Sequence, residues 1–76
     1  MPLGTKGKAA FYRKFINNKV KFGMDDRIGL IKNITTIKGE PYFIVKTDKW
    51  YQDDTNTKWN IFLIYAEGHL DRILPS

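Results

Sequence analysis

Residues 19–45 alternate short apolar runs with glycine, aspartate, asparagine and proline, and this pattern constrains the fold more than any other feature of the chain. Short strands joined by tight turns have such a pattern. Further strand-like segments follow this stretch, whereas the charged residues before it are all basic. The sequence therefore predicts a basic N-terminal tail with a short helix over residues 1–18 and a β domain over residues 19–76.

The predicted β domain contains five short strands, at residues 19–22, 27–34, 42–47, 60–66 and 70–74. A loop is predicted at residues 35–41, and residues 53–57 have the composition of a turn. The alternation of apolar residues slips after Gly29, which indicates a bulge or a bend in the second strand. The core candidates of that strand are Ile28, Leu30 and Ile34. Five short strands, one of them bent, predict a mainly β fold, a five-stranded SH3-like partly open barrel.

The positive charge of the chain is concentrated near its beginning. Residues 1–21 contain six basic residues and no acidic one, whereas residues 22–76 contain the other seven basic residues and all eight acidic ones. The first segment therefore carries +6 and the rest −1, which gives the net charge of +5. A local positive potential attracts nucleic acid or an acidic protein surface. The predicted contact residues in this segment are Lys6, Lys8, Arg13, Lys14, Lys19 and Lys21.

A short amphipathic helix is predicted over residues 9–17. Phe11 and Phe15 are four residues apart, and so are Tyr12 and Ile16, so that their side chains form one apolar stripe. A helix of two to three turns is not stable alone in water, and we expect it to dock on the barrel or on a partner. Its basic face could contact phosphates in either case. The pair Asn17-Asn18 is predicted to end the helix, since asparagine tolerates the left-handed conformation.

The chain of 76 residues has no cysteine, so neither a disulfide nor a zinc–thiolate site stabilises it. Close aromatic packing or self-association is then the expected source of stability, which leaves a homo-oligomer open. Residues 60–66 are apolar on both faces, which is typical of a central strand or of one at a subunit interface. No apolar run approaches the roughly 18 residues of a membrane span. We expect a cytoplasmic protein without a membrane partner.

Aromatic residues exceed what so small a core can enclose, and some are predicted to be exposed. The chain has five phenylalanines, four tyrosines and two tryptophans. Exposed rings near basic side chains could stack on bases while the cations neutralise phosphates. The same residues could form a protein interface, in which tyrosine and tryptophan are enriched. The candidates are Trp50, Tyr51, Trp59 and Tyr65 with Arg27 and Lys32, and Lys46, Lys49 and Lys58 lie nearby in the sequence.

Residues for catalysis or metal binding are scarce. His69 is the single histidine, and the carboxylate pairs Asp25-Asp26 and Asp53-Asp54 fall in predicted turns. Adjacent carboxylates in a turn point apart, whereas a calcium or magnesium site needs several oxygens that converge. There is no candidate nucleophile and no glycine-rich phosphate loop. The sequence therefore predicts a protein without cofactor or metal, and it favours a binding function over an enzymatic one.

Both ends of the predicted barrel carry motifs that occur together in one enzyme family. Residues 22–28 read Phe-Gly-Met-Asp-Asp-Arg-Ile, and residues 70–73 read Leu-Asp-Arg-Ile after the pair Ile64-Tyr65. These segments resemble the opening and the end of the core of plasmid-borne, trimethoprim-resistant type II dihydrofolate reductases. The resemblance implies SH3-like barrels assembled as a tetramer around one pore that binds NADPH and dihydrofolate.

The chain differs from this family at two pore positions. The family's motif Val-Gln-Ile-Tyr is similar to Phe62-Leu63-Ile64-Tyr65 here, so leucine replaces the glutamine whose amide recognises ligand. Leu30 occupies the position of the pore lysine, with Lys32 two residues further on. If the reductase activity carries over, the resemblance implies Lys32, Ile64 and Tyr65 around the pore.

The sequence leaves three functions open. The first is a non-enzymatic binding module with a basic arm that contacts nucleic acid or an acidic protein surface. The second is an oligomeric reductase of the type II kind that uses NADPH. The third is an accessory subunit that docks on a larger enzyme.

Overall fold

The computed structural model describes residues 10–75. Residues 10–12 are helical and continue into a 3-10 turn, Arg13–Phe15. Four strands and a second 3-10 turn follow: β1 (Lys19–Phe22), β2 (Arg27–Ile37), β3 (Glu40–Gln52), β4 (Lys58–Tyr65) and the C-terminal 3-10 turn (Glu67–Arg72).

The four strands form one antiparallel sheet in the order β1-β2-β3-β4, and this sheet is not closed. The predicted mainly β fold is confirmed. The predicted fifth strand is replaced by the C-terminal 3-10 turn, after which Ile73 makes a single bridge to Val20. Residues 67–72 are mostly polar and form a local i to i+3 hydrogen bond, from the His69 N–H to the Ala66 carbonyl at 3.1 Å. Such a segment has no apolar alternation to direct it into a sheet.

Strands β2 and β3 are longer than predicted, because the loop expected at residues 35–41 is only a two-residue turn. Lys38 and Gly39 both have positive φ, 49° and 81°, as a type I′ hairpin turn requires. The β-branched run Thr35-Thr36-Ile37 pairs with residues 40–42 of β3. The polar segment that connects β3 to β4 is also shorter than its composition indicates, since pairing between the two strands extends to Gln52 and Lys58.

The predicted irregularity in β2 is confirmed, three residues after the glycine that indicated it. The register between β2 and β3 shifts between Ile31 and Asn33, which leaves Lys32 unpaired in the ladder. Gly29 itself is buried where β2 approaches β3 closely. A side chain at this position would lie against Val45, so glycine is needed here for close strand packing rather than for an unusual φ.

The core lies on one face of the sheet, called the inner face, with Phe43 at its centre. Phe43 is fully buried, and the rings of Tyr12 and Phe15 pack edge-on against it at centroid distances of 6.0 and 6.2 Å. The predicted docking of the N-terminal helix is therefore confirmed. Asn17 has a φ of 77°, so the predicted helix end is also confirmed. The other fully buried hydrophobic residues are Val20, Ile31, Val45 and Ala66.

Candidate binding surface on the outer face of the sheet

The face of the sheet opposite the core, called the outer face, carries a row of four side chains, one from each strand. The register places Lys19 opposite Leu30, Leu30 opposite Lys46, and Lys46 opposite Ile61. Side chains on paired positions of adjacent strands point to the same face. The row therefore alternates between lysines on β1 and β3 and apolar side chains on β2 and β4.

A cavity of about 380 Å³ on this face contains three lysines and is called the lysine groove. Lys19, Lys46 and Lys49 line it together with Ile28, Leu30 and Tyr51, and with the carboxylates of Asp26 and Asp48. Among residues 10–75, the ion pairs join Arg27 to Asp25 at 2.9 Å and Arg72 to Asp26 at 3.6 Å. The three groove lysines take part in neither pair, so their ammonium groups are available to an anionic ligand.

A bulge in β3 places Lys49 at the groove. The register with β4 shifts between Lys46 and Tyr51, and the buried Thr47 lies at the start of this irregularity. The Thr47 hydroxyl is 2.7 Å from the Lys49 carbonyl oxygen, to which it donates, and 3.4 Å from that of Asn60 on β4. A buried hydroxyl that satisfies the carbonyls freed by a bulge fixes the local backbone. The Thr47 hydroxyl therefore anchors the backbone of the bulge at Lys49.

The apolar side of the outer face is a shallow cavity of about 560 Å³ along β4. The side chains of Trp50, Trp59, Ile61 and Leu63, called the apolar strip, are 62%, 48%, 53% and 53% exposed. Exposed apolar patches with a polar rim mark binding surfaces more often than scattered single residues do. The lysine groove and the apolar strip adjoin, because Lys46 and Ile61 are neighbours across β3 and β4.

The turn before β4 holds the indole of Trp59. One carboxylate oxygen of Asp53 accepts hydrogen bonds from the Thr55 N–H (2.9 Å), the Thr57 N–H (3.0 Å) and the Thr55 hydroxyl (2.7 Å). The other oxygen accepts from Trp59 Nε1 at 2.7 Å. The hydrogen bond from the Thr55 hydroxyl, followed by that from the indole, lowers the pKa of the Asp53 carboxyl to about 2.

We expect Asp53→Asn to remove a contribution to stability that the wild type has at neutral pH and loses at acidic pH. The pKa of this carboxyl is about 2 in the folded protein against 3.8 for the free group, so its contribution is complete above about pH 4 and is lost as the pH falls towards 2. The melting temperature of the wild type should exceed that of D53N at pH 6, and the difference should shrink towards pH 2. Asp54→Asn, the same change one residue on, is the control. A difference that is constant from pH 6 to pH 2 would contradict this role.

Two of the predicted binding residues, Arg27 and Tyr51, contact each other. Arg27 Nε donates to both carboxylate oxygens of Asp25 at 3.0 and 2.9 Å, and its guanidinium carbon lies 4.3 Å from the centre of the Tyr51 ring. The hydrogen bond from Arg27 lowers the pKa of the Asp25 carboxyl. Tyr51 is half-buried and packs edge-on against Phe62 at 5.8 Å. Of the two, Tyr51 lines the lysine groove, and the Arg27 guanidinium is already paired with Asp25 within the protein.

The predicted site residue Tyr65 is engaged in the fold. Its hydroxyl is 3.0 Å from a carboxylate oxygen of Glu40 and 3.2 Å from one of Glu67. The hydrogen bond to Glu40, followed by burial, raises the pKa of the Tyr65 phenol to about 12. The hydroxyl has one proton and donates it to one of the two carboxylates at a time. It lies between Glu40, at the beginning of β3, and Glu67, in the C-terminal 3-10 turn, and so joins these two segments.

The other predicted cations do not gather in one place. Arg13 and Lys14 are exposed on the helical segment that covers the inner face, where Lys14 Nζ lies 4.2 Å from the centre of the Phe11 ring. Lys21 is half-buried near the C-terminal segment, and Lys32 is exposed at the bulge of β2. Lys6 and Lys8 lie outside the described residues. The basic residues are close in sequence but lie on opposite faces, because the helix docks on one face and Lys19 points to the other.

Two residues of the outer face, Ile28 and Leu30, were predicted to belong to the core, and the prediction is wrong for Ile28, which is 47% exposed. Leu30 is half-buried in the lysine groove. The bulge at Lys32 returns the alternation to the inner face, so that Ile34 is buried as predicted. Ile61 also lies on the outer face, on a strand at the edge of the sheet rather than at its centre. Pairing Phe22 with Arg27 across the four-residue turn would have placed Ile28 opposite Lys21 and so on the outer face.

Comparisons of this chain with family models, with curated proteins and with solved structures find no match. The resemblance to the type II reductases therefore stays a prediction. Leu63, which stands where that family has glutamine, is exposed in the apolar strip, and Ile64 is buried. In the part of the chain that the structure describes, no three histidine or carboxylate side chains converge as metal ligands do. Nor does that part contain a helix of the length and apolar character that a bilayer crossing requires.

Proposed function

We propose that this protein is a non-enzymatic binding module that holds single-stranded nucleic acid on the outer face of its sheet. The observation that carries the proposal is the contact between the lysine groove and the apolar strip, through the neighbours Lys46 and Ile61. Lysines neutralise phosphates, and exposed indoles stack on bases of any sequence. A surface with both, side by side, suits a strand whose phosphates and bases are both accessible.

A single strand fits this surface better than a duplex does. In a duplex the faces of the bases are covered by their neighbours in the stack, so the exposed rings of Trp50 and Trp59 would find no face to contact. Adjacent strands of a sheet lie about 4.8 Å apart, so the groove lysines and the apolar strip lie within the span of a few nucleotides. An acidic protein surface would also use the lysines, with the two tryptophans as interface contacts, and the experiments below distinguish it from a single strand.

We also propose that the fold is an SH3-like barrel that stays open at β4. The bridge between Ile73 and Val20 supports this, because it brings the C-terminal segment back to the first strand and pairs β1 on both sides. The close approach of β2 and β3 at Gly29 supports the strong bending that a small barrel needs.

We expect the affinity for a short single-stranded oligonucleotide to fall steeply as the salt concentration rises. Lys46→Gln and Lys49→Gln should each weaken binding and should each reduce the slope of log K against log salt by about 0.7, since each lysine releases the counterion of one phosphate. Fluorescence anisotropy with an oligothymidine at several salt concentrations measures both effects. Lys38→Asn, in the hairpin turn away from the groove, removes the same charge and should change little.

The tryptophan emission of the protein supplies the second readout. Stacking of bases on Trp50 and Trp59 should quench it, and Trp59→Leu should weaken binding without changing the salt slope. An affinity that does not depend on salt, or binding without quenching, would contradict the proposal. Salt-dependent binding to polyglutamate but not to the oligonucleotide would assign the groove to an acidic protein instead.

A further inference from the structure

One carboxylate of the lysine groove has no partner within the described chain. Asp26 and Asp48 both line this groove together with its three lysines. Asp26 forms an ion pair with Arg72 at 3.6 Å, whereas Asp48 takes part in no ion pair and no hydrogen bond within residues 10–75. The Asp48 side chain is exposed, so its carboxylate oxygens are available to a ligand in the groove.

The bulge of β3 fixes the place of Asp48 in the groove. Asp48 lies between the buried Thr47 and Lys49, and the Thr47 hydroxyl donates to the Lys49 carbonyl oxygen at 2.7 Å. This hydrogen bond spans Asp48 and holds the backbone on both of its sides. Lys46 and Lys49 belong to the same short segment and line the same groove. A phosphate bound by these two lysines therefore lies beside the Asp48 carboxylate.

A carboxylate in a groove for phosphates favours a ligand that brings its own hydrogen-bond donor. An ionised carboxylate only accepts hydrogen bonds, and it repels phosphates because they carry the same charge. The sugar–phosphate backbone within a DNA strand offers acceptors alone, so Asp48 would only weaken its binding. In RNA each sugar adds a 2′-hydroxyl, which donates as well as accepts. RNA is therefore the strand that gives this carboxylate a favourable contact.

We infer that the lysine groove selects RNA over DNA, because the Asp48 carboxylate accepts a hydrogen bond from a 2′-hydroxyl of the strand. This inference rests on the proposed function, in which phosphates lie at the groove lysines and bases lie on the apolar strip. The sugar is bonded directly to the phosphate, so it comes within reach of a carboxylate between Lys46 and Lys49. Stacking on tryptophan leaves the base sequence unread, and a donor that every nucleotide carries suits such a surface.

Oligouridine and oligodeoxyuridine of equal length test the preference, because the two strands differ only in the 2′-hydroxyl. We expect the wild type to bind the RNA strand about fivefold more tightly, the effect of one hydrogen bond of ordinary net strength. The slope of log K against log salt should be the same for both strands, since the hydroxyl releases no counterion. Equal affinities that both fall with salt overturn this inference and leave the proposed function standing. Absence of binding to either strand overturns both.

A 2′-fluoro-oligouridine separates the donor from the shape of the sugar, and it needs no change in the protein. Fluorine keeps the sugar conformation of RNA but has no proton to donate. This strand should bind the wild type no more tightly than oligodeoxyuridine does. An affinity equal to that of oligouridine would mean that the groove recognises the conformation of the sugar, and it overturns the role of Asp48.

Asp48→Ala removes the acceptor and its charge together. It should strengthen the binding of oligodeoxyuridine but not that of oligouridine, so that the preference is lost. Asp48→Asn removes the charge and keeps an acceptor oxygen, and it should retain part of the preference. Asp71→Ala, which removes an exposed carboxylate from the C-terminal 3-10 turn, is the control and should change both affinities by the same small factor. If D48A strengthens both strands equally, Asp48 acts through its charge alone and the inference is overturned.

The bases are the other source of donors, and a second pair of strands tests them. Cytosine has an amino group where uracil has a carbonyl oxygen, and a carboxylate that reads bases accepts from that amino group. Oligodeoxycytidine and oligodeoxyuridine should bind the wild type with similar affinity, because neither has a 2′-hydroxyl. A preference for oligodeoxycytidine that D48A abolishes would assign Asp48 to a base and overturn the inference.

Discussion

Replacing Phe43 by alanine is expected to remove a large part of the protein's free energy of unfolding. Phe43 is fully buried at the centre of the inner face, where it contacts the rings of Tyr12 and Phe15 and pairs with Ile64 on β4. Truncation of a buried phenylalanine costs about 3–5 kcal/mol. A domain of this size has a total stability of about 4–11 kcal/mol, so the loss amounts to between about a quarter and all of it. Urea unfolding followed by circular dichroism measures the difference.

Phe11→Ala is the matched control, because it removes the same atoms from a side chain that is 51% exposed. We expect it to lower the free energy of unfolding by much less than Phe43→Ala. Comparable losses from the two variants would mean that the ring of Phe43 is not the centre of the core. The F43A variant should also release the N-terminal helical segment, since the rings of Tyr12 and Phe15 both pack on this residue.

Gly29→Ala is expected to destabilise the sheet although it adds only one methyl group. The new Cβ would collide with Cγ1 of Val45, and it would lie 3.0 Å from the Lys46 carbonyl oxygen and 3.1 Å from Cγ2 of Thr47. The carbonyl belongs to the backbone of the paired strand and cannot turn away, so β2 and β3 must separate. Overpacking of this kind costs about 1–3 kcal/mol.

Gly68→Ala is the control for this change. Its added Cβ would meet only Cδ2 of Tyr65, at 3.3 Å, in the C-terminal 3-10 turn. The midpoint of urea unfolding should fall clearly in G29A and little in G68A. A G29A protein as stable as the wild type would show that the two strands have room to separate at no cost. In that case glycine would not be required for their packing.

The sequence predicts the local structure well where turn chemistry is explicit. The first strand and the turn at Gly23 begin and end where the pattern indicates, and Asn17 ends the helix with the expected positive φ. The sequence predicts the structure poorly where turn-forming residues lie within a long pair of hydrogen-bonded strands. Gly39 and Pro41 indicate a loop, but the β-branched residues before them continue the pairing, and the turn takes only two residues.

The candidate site was only partly predictable, because charge along the chain is not charge on a surface. Arg13 and Lys19 are six residues apart but lie on opposite faces. Arg13 belongs to the N-terminal helical segment, which packs on the inner face, whereas Lys19 begins β1 and points to the outer face. Lys46 and Lys49 come from the neutral part of the sequence and meet Lys19 only through the pairing of three strands. No local pattern encodes that meeting, which depends on the register.

The order of the strands also determines how the chain can fold. Every strand pairs with its neighbour in sequence, through connections of four, two and five residues at 23–26, 38–39 and 53–57. Each hairpin therefore forms with a small loss of loop entropy, and formation can proceed from one hairpin to the next. The bridge between Val20 and Ile73 joins distant parts of the chain and depends on a sheet that has already formed. We therefore expect the C-terminal segment to join last during folding and to leave first during unfolding.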